Sequence, residues 1–178
     1  MRTFPSQAGG SKLFEFVVVL VLLGILSMMV LEFMRHYIEA AEKSAMEATV
    51  MQLRGALRLR LAEVLAEDET AQAESLIRGN PMDWLQDKPD NYAGIFDAPP
   101  PGVVKPGNWY FDTKSRELVY LVKHGREFVP GKDGLKQVRL RVNAPAIDMA
   151  AKERQLYVEK MIMGVSLTLV VPYVWEFK

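Results

Sequence analysis

Two histidines, His36 and His124, and no cysteine are all this 178-residue chain offers for soft metal ligation or thiol chemistry. Without cysteine there is no disulfide framework, no thiolate nucleophile and no Cys-based metal site. The two histidines stand far apart in sequence, and no Ser-His-Asp constellation can be argued around either. No glycine-rich phosphate loop occurs. Asp83, Asp87, Asp90 and Asp97 are carboxylates in a loop-like stretch, but they lack EF-hand spacing, so ordinary solvation is preferred to calcium binding. Lys136, Arg139 and Arg141 form a short basic strip. It lacks the interleaved aromatics that a nucleic-acid surface needs, so a solvated strand face is expected. Lys+Arg and Asp+Glu both number 22, so no global field recruits nucleic acid. The residues therefore predict neither an enzyme nor a cofactor, and no nucleic-acid partner.

One ionisable residue is out of place. Glu15 stands at the edge of "FVVVLVLLGILSMMVL", residues 16–31, which carry no charge. With Leu13 and Phe14 the run reaches the length of a short membrane span, about 17–25 residues. A carboxylate at the centre of a span costs roughly 2.5–3.5 kcal/mol and less near the edge, which makes Glu15 a functional candidate. Arg2 and Lys12 precede the run, and residues 1–10 hold no acid. That asymmetry favours a cytoplasmic N-terminus. A cleaved secretory signal would need a small-residue site after the run, and "SMMVLEFMRHY" offers none. A signal anchor explains length and orientation but leaves Glu15 unexplained. A buried core helix is apolar on every face in the same way, but this segment begins the chain.

The spacing is more specific. Gly10 is followed by Ser11, Glu15 is the fifth residue after Gly10, and an unbroken apolar helix pattern follows. This resembles the class III leader of type IV pilins and type II secretion pseudopilins. The resemblance covers about the first quarter of the chain. It implies cleavage between Gly10 and Ser11 by a prepilin peptidase, and N-methylation of Ser11. It also implies an assembly salt bridge from Glu15 to the N-terminal amine of a neighbouring subunit. Lys12, three residues before Glu15, is the alternative local partner. Gly24, within Leu23-Gly24-Ile25-Leu26, matches the internal glycine of the family's apolar helix. Two departures stand out: Ser11 and Lys12 replace the family's usual Phe or Met and Thr. Major subunits commonly carry a proline about two-thirds along this helix, where the present chain has Glu32. That difference points to a continuous helix and a minor subunit.

The elements that position these residues read as follows. Beyond the apolar half, Met46, Val50, Leu53, Leu57, Leu61 and Val64 recur at steps of three and four, one helical stripe. Arg54, Arg58, Glu63 and Glu67 fall on other faces. A single helix from Ser11 to about Asp68 is predicted, on the order of 85 Å long. A short helix over 71–77 should end at Gly79, with Pro81 beyond. Pro89, Pro99-Pro100-Pro101 and Pro106-Gly107 predict a rigid irregular loop, with Trp84 and Tyr92 packing onto the head. "NWYFD" and "RELVYLV" predict a hairpin turned at residues 113–116. "KQVRLRV" alternates as a strand, residues 150–161 read as helix, and "VSLTLVVPYVW" reads as a closing strand interrupted by Pro172. The expected fold is α+β and pilin-like, a long N-terminal helix packed on a mostly antiparallel sheet. The expected divisions are a leader at 1–10, an assembly half at 11–33, an amphipathic half at 34–68 and a head at 69–178.

From the resemblance, the expected function is that of a structural subunit of a type IV pilus or type II secretion pseudopilus. Its expected partners are the prepilin peptidase, other pilin or pseudopilin subunits, the inner-membrane assembly platform and membrane lipid. The expected location is the bacterial inner membrane, crossed once with the head periplasmic, and then the filament. The alternative is a signal-anchored periplasmic binding or adaptor domain that never polymerises.

Overall fold

The computed structural model describes residues 10–67, 76–143 and 164–177. The chain is α+β: one long N-terminal helix, α1 (Gly10–Glu67), and a mostly antiparallel five-stranded sheet. Its contacts divide it into two compact units, with the boundary between Ala40 and Ala41. Residues 71–75 of the expected short helix and all of the expected helix at 150–161 lie outside the described residues. Residues 76–78 are helical, as expected.

In the second unit, the six stripe residues of α1 are all buried. They share one core with Trp109, Phe111, Leu118, Tyr120, Val138, Leu140 and Leu167 of the sheet. The physical cause is the 3.6-residue period, which puts every third or fourth apolar side chain on one face. Arg54 and Arg58 fall on the exposed side. Leu53, with no exposed surface, sits at the centre of the stripe. Replacing it with alanine should cost about 2–5 kcal/mol, the range for a leucine removed from a tight core. Urea unfolding of the full chain in detergent, followed by tryptophan fluorescence, measures it. A loss below about 1 kcal/mol would show that the stripe is not core.

The main sheet runs in the order β1 (Tyr92–Phe96), β2 (Trp109–Asp112), β3 (Glu117–Leu121), β5 (Gln137–Asn143), β6 (Ser166–Leu169). β2 and β3 form the expected antiparallel hairpin, with Asp112 opposite Glu117. β5 alternates as the sequence pattern requires: Val138 and Leu140 are buried, while Arg141 is exposed. β4 (Phe128–Val129) and β7 (Val174–Trp175) make a separate two-stranded sheet.

Three expectations are corrected. Tyr92–Phe96 is not irregular loop; it is the edge strand, paired parallel to β2. Gly94, at φ 111°, lies within the register shift between Tyr92 and Ile95. A glycine interrupts strand periodicity in sequence yet supplies the backbone conformation that a bulge needs. The closing strand is instead two strands in two different sheets, β6 and β7. Pro172 cannot donate a ladder hydrogen bond, so the chain leaves one sheet before joining the other. The third correction concerns the basic strip. Arg139 and Arg141 flank the buried Glu117 and are ion-paired to it.

The proline run does not extend as a polyproline helix. The Val103 amide donates to the Pro100 carbonyl at 3.3 Å, and Gly102 has φ 91°. Proline followed by positive-φ glycine is the requirement of a type II turn, so the run is cut short by a reversal. Val104, buried just after it, anchors the loop.

Candidate functional site

Every residue from Lys12 to Ile38 is exposed. This first-unit part of α1 contains a segment long and apolar enough to cross a membrane, and none of that segment is covered. A soluble helix hides an apolar face; this one has no covered face at all. Lipid or other helices satisfy such a surface, and water does not.

Gly10 is the first residue of the helix and Ser11 the second. Glu15 is one turn further on and exposed, and no ion pair joins it to Lys12 among the described residues. A Cβ added at Gly24 would meet nothing within 4 Å, so the glycine leaves a shallow place on an otherwise bulky surface. Glu32 lies 3.9 Å from Arg35, three residues on, and the helix passes through this point unbroken. Phe33 and Tyr37 stack at a tilt with ring centroids 5.1 Å apart.

The second unit holds its own entering helix by polar contacts that the sequence did not reveal. Glu42 is the centre of them. Its Oε1 accepts from the Tyr120 hydroxyl at 2.9 Å and from the Lys123 amide at 2.7 Å. Its Oε2 accepts from the His124 amide at 2.7 Å and lies 2.8 Å from His124 Nδ1. A carboxylate so engaged is a lock, with little capacity left for acid–base work. Next to it, Lys43 Nζ donates to the Trp175 carbonyl at 2.5 Å and sits over the Phe177 ring. Both contacts span most of the sequence, so no local pattern announces them.

Burial pushes the Tyr120 phenol well above its ordinary value, and the bond to Glu42 adds to the shift. Burial also raises Tyr92, Tyr110 and Tyr173. The unfolded chain therefore releases these protons first as pH rises. The contribution of these tyrosines to stability should be level below about pH 10 and should fall above it. Tyr120→Phe should cost about 1 kcal/mol at neutral pH, the worth of one hydrogen bond, and should flatten the alkaline fall. Denaturant midpoints at neutral and alkaline pH test this. An unchanged alkaline slope in the variant would remove Tyr120 from the account.

At the opposite end of the hairpin, Asp112 organises the turn. Its Oδ1 accepts from the Ala98 amide at 3.1 Å and the Lys114 amide at 3.0 Å; its Oδ2 accepts from the Ser115 hydroxyl at 2.8 Å. Burial pushes its carboxyl up, but these donors outweigh it and hold the group below its ordinary range. Ala98, at φ 43°, is kept in the left-handed region by this contact. Asp83, one of the loop carboxylates, pairs with Lys88 at 2.7 Å.

Compared with protein-family models, with curated proteins and with solved structures, the chain matches none.

Proposed function

We propose that this chain is a structural subunit, and a minor one, of a type IV pilus or type II secretion pseudopilus. The observation that carries the reading is an apolar helix exposed on every side from Lys12 to Ile38, with Glu15 one turn from the Gly10–Ser11 junction. The chain inserts once in the inner membrane, N-terminus cytoplasmic and head periplasmic. A prepilin peptidase cuts after Gly10, and Ser11 is methylated. The assembly platform then moves the subunit from lipid into the filament, where helices of other subunits replace the lipid. The unbroken helix at Glu32 supports a minor role, because a charged Glu32–Arg35 pair sits poorly inside an apolar shaft and is tolerated at an open end.

The test is the N-terminal mass of the protein isolated from membranes. Loss of Met1–Gly10 with gain of one methyl group is expected, and Gly10→Val should leave the full-length precursor. An intact N-terminus in the unsubstituted protein would favour the non-polymerising anchored adaptor. Mature protein from Gly10→Val would refute the cleavage assignment.

A further inference from the structure

We infer that the pole of the head where α1 enters is a seat for acidic phospholipid headgroups, resting on the reading that the apolar part of α1 lies in a bilayer. The pole is defined inside the second unit. Glu42 and Lys43 lie just after its start at Ala41, and they hold Lys123, His124 and Trp175. Lys136 joins the same place, its Nζ donating to the Gly125 carbonyl at 2.6 Å and its carbonyl accepting from Val122.

This pole carries exposed apolar and basic side chains together. Val129 and Val174 are cross-strand partners, 57% and 51% exposed, and Leu135 is 52% exposed. Their strand neighbours Phe128 and Trp175 point inward and are buried. Lys123, Lys132 and Lys136 are exposed beside them. The acids of the same segments are Glu127, Glu176 and Asp133, the last engaged by the Leu135 amide and near Arg139; with Arg126 the basic side chains number four against these three. Exposed aliphatics ringed by lysines have the chemistry of an interfacial membrane contact: the apolar groups enter the headgroup boundary and the ammonium groups meet phosphates. Connectivity supplies the location. Only residues 34–40 separate Phe33 from Ala41, so the tether between the apolar segment and the start of the second unit is short. Lipid is chosen over a protein partner because of this tether and this charge.

The chain has no cysteine, so single labels are clean. Full-length protein carrying a polarity-sensitive fluorophore at Leu135→Cys, Thr113→Cys or Leu20→Cys is reconstituted in vesicles with a nitroxide lipid quencher. One vesicle set is neutral phosphatidylcholine and the other contains phosphatidylglycerol. Leu20→Cys should be quenched in both sets, and Thr113→Cys, at the far pole, in neither. Leu135→Cys should be quenched only with phosphatidylglycerol, and the quenching should vanish at about 1 M salt, where screening acts within about 3 Å. Each lysine near an anionic surface contributes about fivefold to the seated population. Lys123→Ala with Lys132→Ala should therefore reduce seating roughly 25-fold. If Leu20→Cys is quenched and Leu135→Cys stays in water in both lipids, the seat is wrong and the span stands. Equal quenching of Leu135→Cys in both lipids overturns the acidic-headgroup assignment. If Leu20→Cys itself stays in water, the spanning reading fails and the seat fails with it.

Discussion

Replacing Glu15 with valine should leave the chain in the membrane and remove it from the filament. Valine is cheaper than a carboxylate in lipid, so insertion should be equal or better. The proposed cut lies between Gly10 and Ser11, away from the Glu15 side chain, so processing should also survive. Assembly is different. Among apolar helices the Glu15 carboxylate is desolvated and needs a cation, and the proposed one is the Ser11 amine of a neighbour. The amine left behind by Glu15→Val is then the uncompensated charge. Breaking one side of a buried pair costs about 3–5 kcal/mol, which is a hundredfold or more in incorporation. The exposed position of Glu15 on α1 leaves it available to such a neighbour. Immunoblots of sheared filaments against membranes would measure the ratio. Incorporation at the unsubstituted level would mean that the carboxylate has no role in packing subunits.

The largest stability loss in the head should come from Glu117→Ala. Glu117 is 3% exposed, on the central strand β3, between Arg139 at 3.4 Å and Arg141. The Arg139 Nε is itself buried without a hydrogen bond, so the nearby carboxylate is its main electrostatic compensation. With that carboxylate gone, Asp133 at 3.8 Å is the acid that remains paired to Arg139. The expected cost is about 3–5 kcal/mol. A triple change, Glu117→Leu with Arg139→Met and Arg141→Leu, should recover much of it, because an apolar replacement avoids burying charge. Urea midpoints of the full chain in detergent separate the two. A single variant as stable as the parent, or a triple variant worse than the single, would contradict this account.

Legibility in the sequence followed the range of the interaction. The stripe from Met46 to Val64 was legible because helical periodicity is local and all six positions are buried as spaced. The β2–β3 hairpin and the alternation of β5 were legible for the same reason, with strand period 2 in place of 3.6. β1 was hidden by Gly94 and by the prolines around it, and β4 and β7 are two residues each, too short for any period. Glu42 and Glu117 were invisible as sites. Glu42 reads as one more polar position on an amphipathic helix, and its partners lie about eighty residues away. The basic strip misled because a sequence shows charges on one strand and not the carboxylate of the strand beside it. The apolar helix with Glu15 at its edge was legible throughout, since lipid and water discriminate by composition before any tertiary contact exists.

The pairing of β4 with β7 also sets an order of events. Phe128 meets Trp175 edge to face at 5.2 Å, and Lys43 reaches the Trp175 carbonyl across 132 positions. A chain made from its N-terminus presents the α1 stripe first and Trp175 long afterwards. At about 5–20 residues per second, the gap is roughly 7–26 s. During that interval Lys43 of α1 lacks its partner, and Phe128, made 47 residues before Trp175, lacks its cover for the last part of it. The head therefore closes only on chains that have been synthesised through Trp175. The small sheet is thus the last joint of the head to be made, and it covers Phe128 and Lys43 only once Trp175 has been synthesised.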